Sequence, residues 1–201
     1  MVVEDLNVLV ERARALAAAG GRRILGIAGP PGGGKSTVAR TVVAELGDDA
    51  RLVPMDGFHL AQAELVRLGR RDRMGAPDTF DAGGYANLLR RLKGEEEVVY
   101  APEFRREIEE PIAGAIAVPR HVPLIVTEGN YLLLWPFIPP LLDESWYVET
   151  DEELRLQRLI QRHIEYGKTP EYARAWVMRS DQRNAEIIAT TASRADVLVR
   201  L

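Results

Sequence analysis

The sequence of 201 residues predicts an α/β domain in which a five-stranded parallel sheet is covered by helices on both faces. Five short runs are predominantly apolar rather than alternating, which is typical of strands buried on both faces. In chain order they lie at 24–28, 51–55, 124–127, 146–149 and 195–201. Helical patterns separate most of these runs. A chain of this length can bury one core, so we expect one domain over residues 1–201.

Five stretches carry apolar residues at the spacing of an amphipathic helix. In chain order they are 4–19, 35–46, 85–92, 151–166 and 170–190. The first ends at Gly20 and Gly21, as helices commonly do, and the last begins at Pro170, where a missing N–H costs least. In the fourth stretch, four apolar side chains are expected to face the core: Leu154, Leu156, Leu159 and Ile160.

The segment 56–123 departs from this alternation because Gly and Pro recur in it at short intervals. Besides its helix, it contains two short strand patterns, at 97–100 and 115–118. We interpret the segment as an irregular α+β insertion that binds a substrate. It is too poor in continuous apolar runs to form a second domain.

The composition limits the chemistry. The absence of cysteine excludes disulfides, thiolate metal sites and cysteine nucleophiles. His59, His121 and His163 lack a metal-ligand spacing, which leaves a hard cation bound by oxygens. A net charge of −4 argues against nucleic-acid binding. Neither a signal-peptide pattern nor an apolar run of about 18 residues is present, so we expect a cytoplasmic protein that does not bind membranes.

A phosphate-loop motif follows the first predicted strand and precedes the second predicted helix. Its glycines let backbone N–H groups surround a phosphate at a helix N-terminus without Cβ clashes. Lys35 is predicted to reach the β- and γ-phosphates, and the Ser36 hydroxyl to bind Mg²⁺. The motif predicts a nucleoside triphosphate site made by nine residues: Gly29, Pro30, Pro31, Gly32, Gly33, Gly34, Lys35, Ser36 and Thr37.

Two carboxylates follow predicted strands. Glu128, after the run 124–127, is a candidate for binding Mg²⁺ through its water shell, and its structural alternative is to cap the turn at Gly129. Asp56, after the run 51–55, is a candidate general base for a substrate hydroxyl, and its alternative is a helix N-cap.

Arginines recur along the predicted helix 151–166. Arg158 and Arg162 lie four residues apart on one face, with Arg155 one turn earlier. Such side chains on a lid can neutralise charge on a transferred phosphoryl group, although a solvated charged face explains them equally well. His59 follows Asp56 by three residues. It either faces the same cleft or has a structural role.

These features favour a small-molecule kinase among the nucleotide-binding classes. The guanine-specific N-K-x-D motif is absent, and the length excludes a transporter ATPase. We expect a small-molecule hydroxyl acceptor, ATP as donor and Mg²⁺ as cofactor. A nucleotide kinase with a phosphate acceptor and a non-catalytic nucleotide-binding regulatory subunit are the alternatives. A homodimer is possible, since the first helix can pack on the sheet or on a partner.

Four ordered motifs resemble one known family. They are AGPPGGGKST at 28–37, PMDGFHL at 54–60, GAPDTFD at 75–81 and TEGNYLL at 127–133. They are similar to the phosphoribulokinase/uridine kinase/bacterial pantothenate kinase group of P-loop kinases, and in particular to its small nucleoside/nucleotide-kinase-like branch, which is associated with fructose transport systems. The resemblance extends from about residue 24 to residue 201. It implies the P-loop NTP hydrolase fold, with a lid at about 151–168.

The resemblance also implies roles for individual residues. Asp56 matches the catalytic aspartate, Glu128 the acid near Mg²⁺, and Arg158 and Arg162 the lid arginines. A further set is implied to contact the acceptor: Asp56, His59, Arg73, Phe104, Arg106, Asn130 and Tyr131. The chain departs from the family at Met74, where a basic residue is common, and at Arg105, where the small branch usually has Asp. A cation facing the pocket at Arg105 would favour an anionic acceptor.

Overall fold

The computed structural model describes residues 1–200. Leu201, the last residue of the strand predicted at 195–201, lies outside the described residues. The strands are Val2–Val3 (β1), Arg23–Ala28 (β2), Ala50–Leu52 (β3), Val98–Arg105 (β4), Glu110–Pro119 (β5), Leu124–Gly129 (β6), Glu144–Glu149 (β7) and Val197–Arg200 (β8). The helices are Leu6–Ala18 (α1), Lys35–Leu46 (α2), Gln62–Arg67 (α3), Ala82–Leu92 (α4), Glu152–Glu165 (α5), Pro170–Trp176 (α6) and Gln182–Ala189 (α7).

The main sheet is parallel throughout and has the strand order β1-β8-β7-β2-β6-β3. The predicted α/β class with a parallel sheet is confirmed, but the sheet has six strands instead of five. The additional strand, β1, consists of two residues that pair with β8 at the edge. Two residues are too few to form a recognisable pattern, so this strand could not be predicted.

Each face of the sheet is covered by its own apolar cluster. On one face, α1 and α2 bury Leu9, Val38 and Val42 against Leu25 and Trp146. On the other face, α4 and α7 pack against β6 and the residues after it; this cluster includes Tyr85, Leu89, Ile125, Tyr131 and Ile188. Helix α1 therefore packs on the sheet, which was one of the two arrangements that its sequence left open.

The segment 56–123 forms α3, α4 and an antiparallel hairpin of β4 and β5. The hairpin strands extend beyond the predicted 97–100 and 115–118. The added parts are exposed, contain charged and small residues and lack an apolar run, so the sequence pattern did not indicate them. The pairing register shifts between Ala101 and Glu103, where β5 bulges. The hairpin packs on the turn after β3: a Cβ on Gly57 would clash with Pro102 O, and Arg106 at the tip bonds Asp56 over 3.0 Å.

Two helical predictions need correction. The stretch 170–190 is helical, but Val177–Asp181 forms a π turn between α6 and α7. In α5 the inward position predicted for Leu154 is taken by Arg155, which is 4% exposed, whereas Leu154 is 39% exposed. Among residues 1–200, no helix is both long and apolar enough to cross a membrane.

The phenol of Tyr85 joins α4 to the sheet. Its hydroxyl is 2.7 Å from Thr127 Oγ1, which itself donates to Val53 O. The threonine proton is committed to Val53 O, so the phenol donates to Thr127. We expect Tyr85→Phe to lower the free energy of unfolding by about 1 kcal/mol, because one buried hydrogen bond is lost. Urea denaturation measures this, and Tyr100→Phe, at an exposed tyrosine, is the matched control. Equal stability of Tyr85→Phe and wild type would contradict the assignment.

Candidate active site

The loop 29–34 connects β2 to α2 and curves around the N-terminus of the helix. Three of its glycines have positive φ: 150° at Gly29, 76° at Gly32 and 90° at Gly34. A Cβ at Gly29 would lie 2.7 Å from Val148 O, and one at Gly32 would lie 2.7 Å from Leu159 Cγ. Glycine is therefore required here both by backbone conformation and by close packing. Gly34 caps α2 in the left-handed conformation.

Lys35 opens α2 and lies under the loop. Its ammonium donates to Pro30 O over 2.9 Å, and the side chain is buried. Burial lowers the pKa of Lys35 to about 8, a shift that the nearby Glu128 and Asp56 oppose. A buried ammonium with one hydrogen bond keeps donors free for an incoming anion.

Ser36 and Glu128 form a hydroxyl–carboxylate pair in front of the loop. Ser36 Oγ donates to Glu128 Oε1 over 2.8 Å. Glu128 lies in β6, where it pairs with Ile27 of β2, so the sheet itself sets its position beside the loop. Burial, and then the charge of Asp56, raise the pKa of Glu128. Glu128 is therefore not merely the cap of the following turn.

Asp56 faces this pair from the turn Met55–Phe58. Strand β3 ends at Leu52, not at residue 55 as predicted, since Pro54 has no N–H to continue the ladder. Asp56 Oδ2 accepts from Arg106 Nη2 over 3.0 Å. Burial tends to raise the pKa of Asp56, but the positive charges of Arg106, Lys35 and Arg162 prevail and lower it. Asp56 is thus an ionised carboxylate beside a guanidinium.

His59 is held between two aromatic rings. Its ring centroid is 4.0 Å from that of Phe80 and 4.5 Å from that of Phe104. Nδ1 lies 2.8 Å from Asp56 O, and a carbonyl only accepts, so Nδ1 carries the proton. Burial lowers the pKa of His59, which keeps the ring neutral and leaves Nε2 as an acceptor. His59 thus lines the cleft and is also packed between two rings, so its two predicted positions do not exclude each other.

Helix α5 brings two arginines to the opposite wall. Arg158 and Arg162 line the cleft, and in the described part of the chain neither guanidinium has a hydrogen-bond or ion-pair partner. Burial, and then the charge of Arg106, lower the pKa of Arg162. Arg155, one turn earlier, is absent from the cleft because it points behind the phosphate loop.

These residues enclose a cleft of about 570 Å³ at the carboxyl edge of the sheet. The predicted residues that line it, besides those of the loop from Pro31 to Thr37, are Asp56, His59, Phe104, Arg106, Glu128, Asn130, Arg158 and Arg162. The structure thus brings together the two carboxylates, the phosphate loop and the lid arginines in one cavity.

Besides Gly29, Pro30 and Arg155, three residues considered for the acceptor side do not line the cleft. Arg73 bonds Asp78 over 2.9 Å at the surface, and Arg71 lines the cleft in its place. Tyr131 is fully buried, and its hydroxyl donates to Gly75 O, so it supports the cleft wall. Arg105 bonds Glu103 over 2.8 Å and is exposed on the hairpin. The case for an anionic acceptor at Arg105 therefore does not hold.

Sequence reasoning missed the outer end of the cleft. His163 Nε2 lies 3.1 Å from Asp181 Oδ2, which joins α5 to the π turn. Lys168 Nζ lies 3.6 Å from Glu109 Oε1 at the hairpin tip and 5.3 Å from the ring centroid of Tyr172. The i, i+4 spacing of Tyr172 and Trp176 was a usable signal, whereas the ion pairs join segments distant in sequence.

Comparisons with known proteins agree with this geometry. The model of the phosphoribulokinase/uridine kinase family matches residues 24–201. The "ATP-dependent kinase-like protein notR'" of Aspergillus versicolor is 34% identical over 67% of this chain and 86% of its own length. A pantothenate kinase of Limosilactobacillus reuteri is 32% identical over 69% of this chain, which spans only 48% of that protein.

A solved structure resembles almost the whole chain. The "putative fructose transport system kinase" of Silicibacter sp. TM1040 has a TM-score of 0.87 and is 32% identical, with coverage of 98% of this chain and 99% of that one. The agreement includes both the sheet and the insertion, because so little of either chain is left unmatched.

We expect the affinity for ADP to fall as the pH rises above about 8. The sequence predicts that Lys35 binds phosphate as an ammonium ion. Its pKa is about 8, so above this pH such binding must also take up a proton. The dissociation constant, measured by titration calorimetry, should then approach a tenfold rise per pH unit. Lys35→Arg is the control, because its guanidinium stays protonated and should give a nearly flat profile. A flat wild-type profile would contradict the inferred charge state of Lys35.

Proposed function

The chain belongs to the phosphoribulokinase/uridine kinase family, and we propose that it transfers the γ-phosphoryl group of ATP to a hydroxyl of a sugar, nucleoside or pantothenate-like metabolite. Members of this family are kinases with hydroxyl acceptors, so the activity of this chain is phosphoryl transfer to a small metabolite. The acceptor class and the roles of individual residues form the proposal. The observation that carries it is the position of Asp56 across one cleft from Lys35, Ser36 and Glu128.

The phosphate loop supports the donor half of the proposal. Lys35 and the loop N–H groups bind the β- and γ-phosphates, since they are the donors that face the cleft. The Ser36–Glu128 pair offers two oxygens suited to Mg²⁺. Within residues 1–200 no group of three or more His, Cys, Asp or Glu side chains could hold a metal. A cation there would need phosphate oxygens as further ligands, as expected for Mg²⁺ bound with ATP, where it neutralises phosphate charge.

Asp56 supports the acceptor half. An ionised carboxylate within reach of the acceptor hydroxyl takes its proton as the oxygen attacks the γ-phosphorus. The new O–P bond forms while the bond from the γ-phosphorus to the β,γ-bridging oxygen breaks, and ADP leaves. Arg106 keeps Asp56 ionised and, by donating to Oδ2, fixes the position of the carboxylate. Arg158 and Arg162 have free donors to stabilise the charge on the transferred group.

The neutral His59 supports an acceptor with more than one polar group. Its Nε2 accepts a hydrogen bond, and Asn130 offers both a donor and an acceptor in the same wall. The rings of Phe80 and Phe104 on either side of His59 provide an apolar surface. Polyhydroxylated metabolites with a short carbon skeleton match this combination.

The experiment that tests the function measures ADP release from ATP with a panel of acceptors. The panel contains fructose, uridine, pantothenate, glycerate and the phosphates of the sugars and nucleosides. Release that depends on a hydroxyl acceptor supports the proposal. Release only with nucleoside monophosphates would indicate a nucleotide kinase, and tight ATP binding without any acceptor-dependent release would indicate a regulatory subunit; either result would overturn it.

We expect Asp56→Asn to lower kcat by roughly 10²–10⁴-fold, the usual contribution of a general base, while KM for ATP stays within about twofold. The amide keeps the shape of the side chain but cannot take the proton. Initial-rate kinetics with the best acceptor measure this. Asp48→Asn, on the exposed turn after α2, is the matched control and should behave as wild type. Full turnover by Asp56→Asn would exclude Asp56 as the base.

A further inference from the structure

We propose that Arg155 is a positioning residue that holds the phosphate loop in its binding conformation from behind. It belongs to the arginine series of α5, but it is buried, whereas Arg158 and Arg162 face the cleft. The inference rests only on the nucleotide-binding half of the proposed function.

Contacts with three successive loop residues carry the inference. Arg155 Nη1 donates to Pro31 O over 3.5 Å. The carbonyl oxygen and Cγ of Arg155 lie 2.9 and 3.2 Å from the position that a Cβ on Gly32 would take. Thr150, just before α5, donates through Oγ1 to Gly33 O over 2.6 Å. The loop therefore rests on the start of the lid helix.

These contacts set the direction of the loop N–H groups. In a planar trans peptide, the C=O and the following N–H point in opposite directions. Anchoring Pro31 O on Arg155 and Gly33 O on Thr150 therefore turns the N–H groups of Gly32 and Gly34 away from α5. Within the part of the chain that the structure describes, neither N–H has an acceptor. They are left free for a phosphate.

The far side of the guanidinium is tied to α7. Arg155 Nη2 donates to Gln182 Oε1, and Gln182 Nε2 donates to Glu152 Oε1 over 2.7 Å. Glu152 Oε1 is 3.9 Å from Arg155 Nη2, so the carboxylate compensates the buried charge only weakly. A buried cation without close charge compensation is costly to keep, which argues against a role in packing alone. Arg155 thus links the loop, the lid helix and α7.

The lysine variant tests the proposal. In Arg155→Lys the new ammonium group would keep the charge, but it cannot donate to Pro31 and Gln182 together. We expect Arg155→Lys and Arg155→Ala to weaken ADP binding by about 10- to 100-fold in calorimetry, with the KM of the acceptor within about twofold, because one to two loop contacts to phosphate are lost. Arg200→Gln, an exposed arginine paired with Glu149, is the matched control and should bind ADP normally.

Chemical rescue separates positioning from simple stability. A second cavity, of about 940 Å³, borders both Arg155 and Gln182, so a small cation can reach the space left by Arg155→Ala. Millimolar ethylguanidinium should restore ADP affinity at least fivefold, and ethylammonium should not. ADP affinity within twofold of wild type in both variants, or equal effects of the two cations, would overturn the proposal. ADP binding needs no acceptor, so this result stands apart from the acceptor screen.

Discussion

The burial of Lys35 beside two carboxylates is the constraint on which the site depends. Desolvation lowers the pKa of the ammonium to about 8 and raises that of Glu128. Such a cluster is destabilising unless the charges compensate each other, because isolated ions lose more solvation energy than proteins usually recover. Asp56, Glu128 and Lys35 do so only in part, and Arg106 supplies the missing positive charge. The fold must therefore hold these groups together against their tendency to separate into solvent.

The parallel sheet provides that restraint. The loop follows β2, Glu128 lies in β6 next to it, and the turn of Asp56 follows β3, the neighbour of β6. Three adjacent strands thus deliver the three groups to one edge without long side chains. Burial of the apolar clusters on the two faces offsets the free energy that this arrangement of charges costs. Strained or desolvated functional groups on a well-packed scaffold are a common compromise in enzymes.

The sequence determined the parts of this picture that depend on local pattern. Apolar runs indicated the buried strands, and the motif at 29–37 indicated the loop, since both follow from neighbouring residues. Residues whose place depends on tertiary contacts were beyond reach. In the sequence Arg155 looks like a surface residue, because its burial depends on the packing of the loop against it. Arg73 lies outside the cleft because it bonds Asp78. The edge strand Val2–Val3 exists only because β8 offers it an unpaired edge.

The two ends of the cleft are built differently, and this difference has a functional consequence. The end that carries the phosphate loop consists of loop backbone and of side chains held by the sheet and by α2, among them Lys35 and Glu128. The other end is closed by contacts between separate segments: the ion pairs of Asp56 with Arg106 and of Glu109 with Lys168, and the hydrogen bond between His163 and Asp181. These groups lie on the insertion, the hairpin tip, the region of α5 and the π turn, and the partly exposed Glu109–Lys168 pair contributes little stability. An acceptor that offers its own polar groups to Glu109 or Lys168 would open that contact at small cost. Under the proposed function, the phosphate chemistry therefore depends on the sheet, whereas the choice of acceptor depends on the elements that surround it.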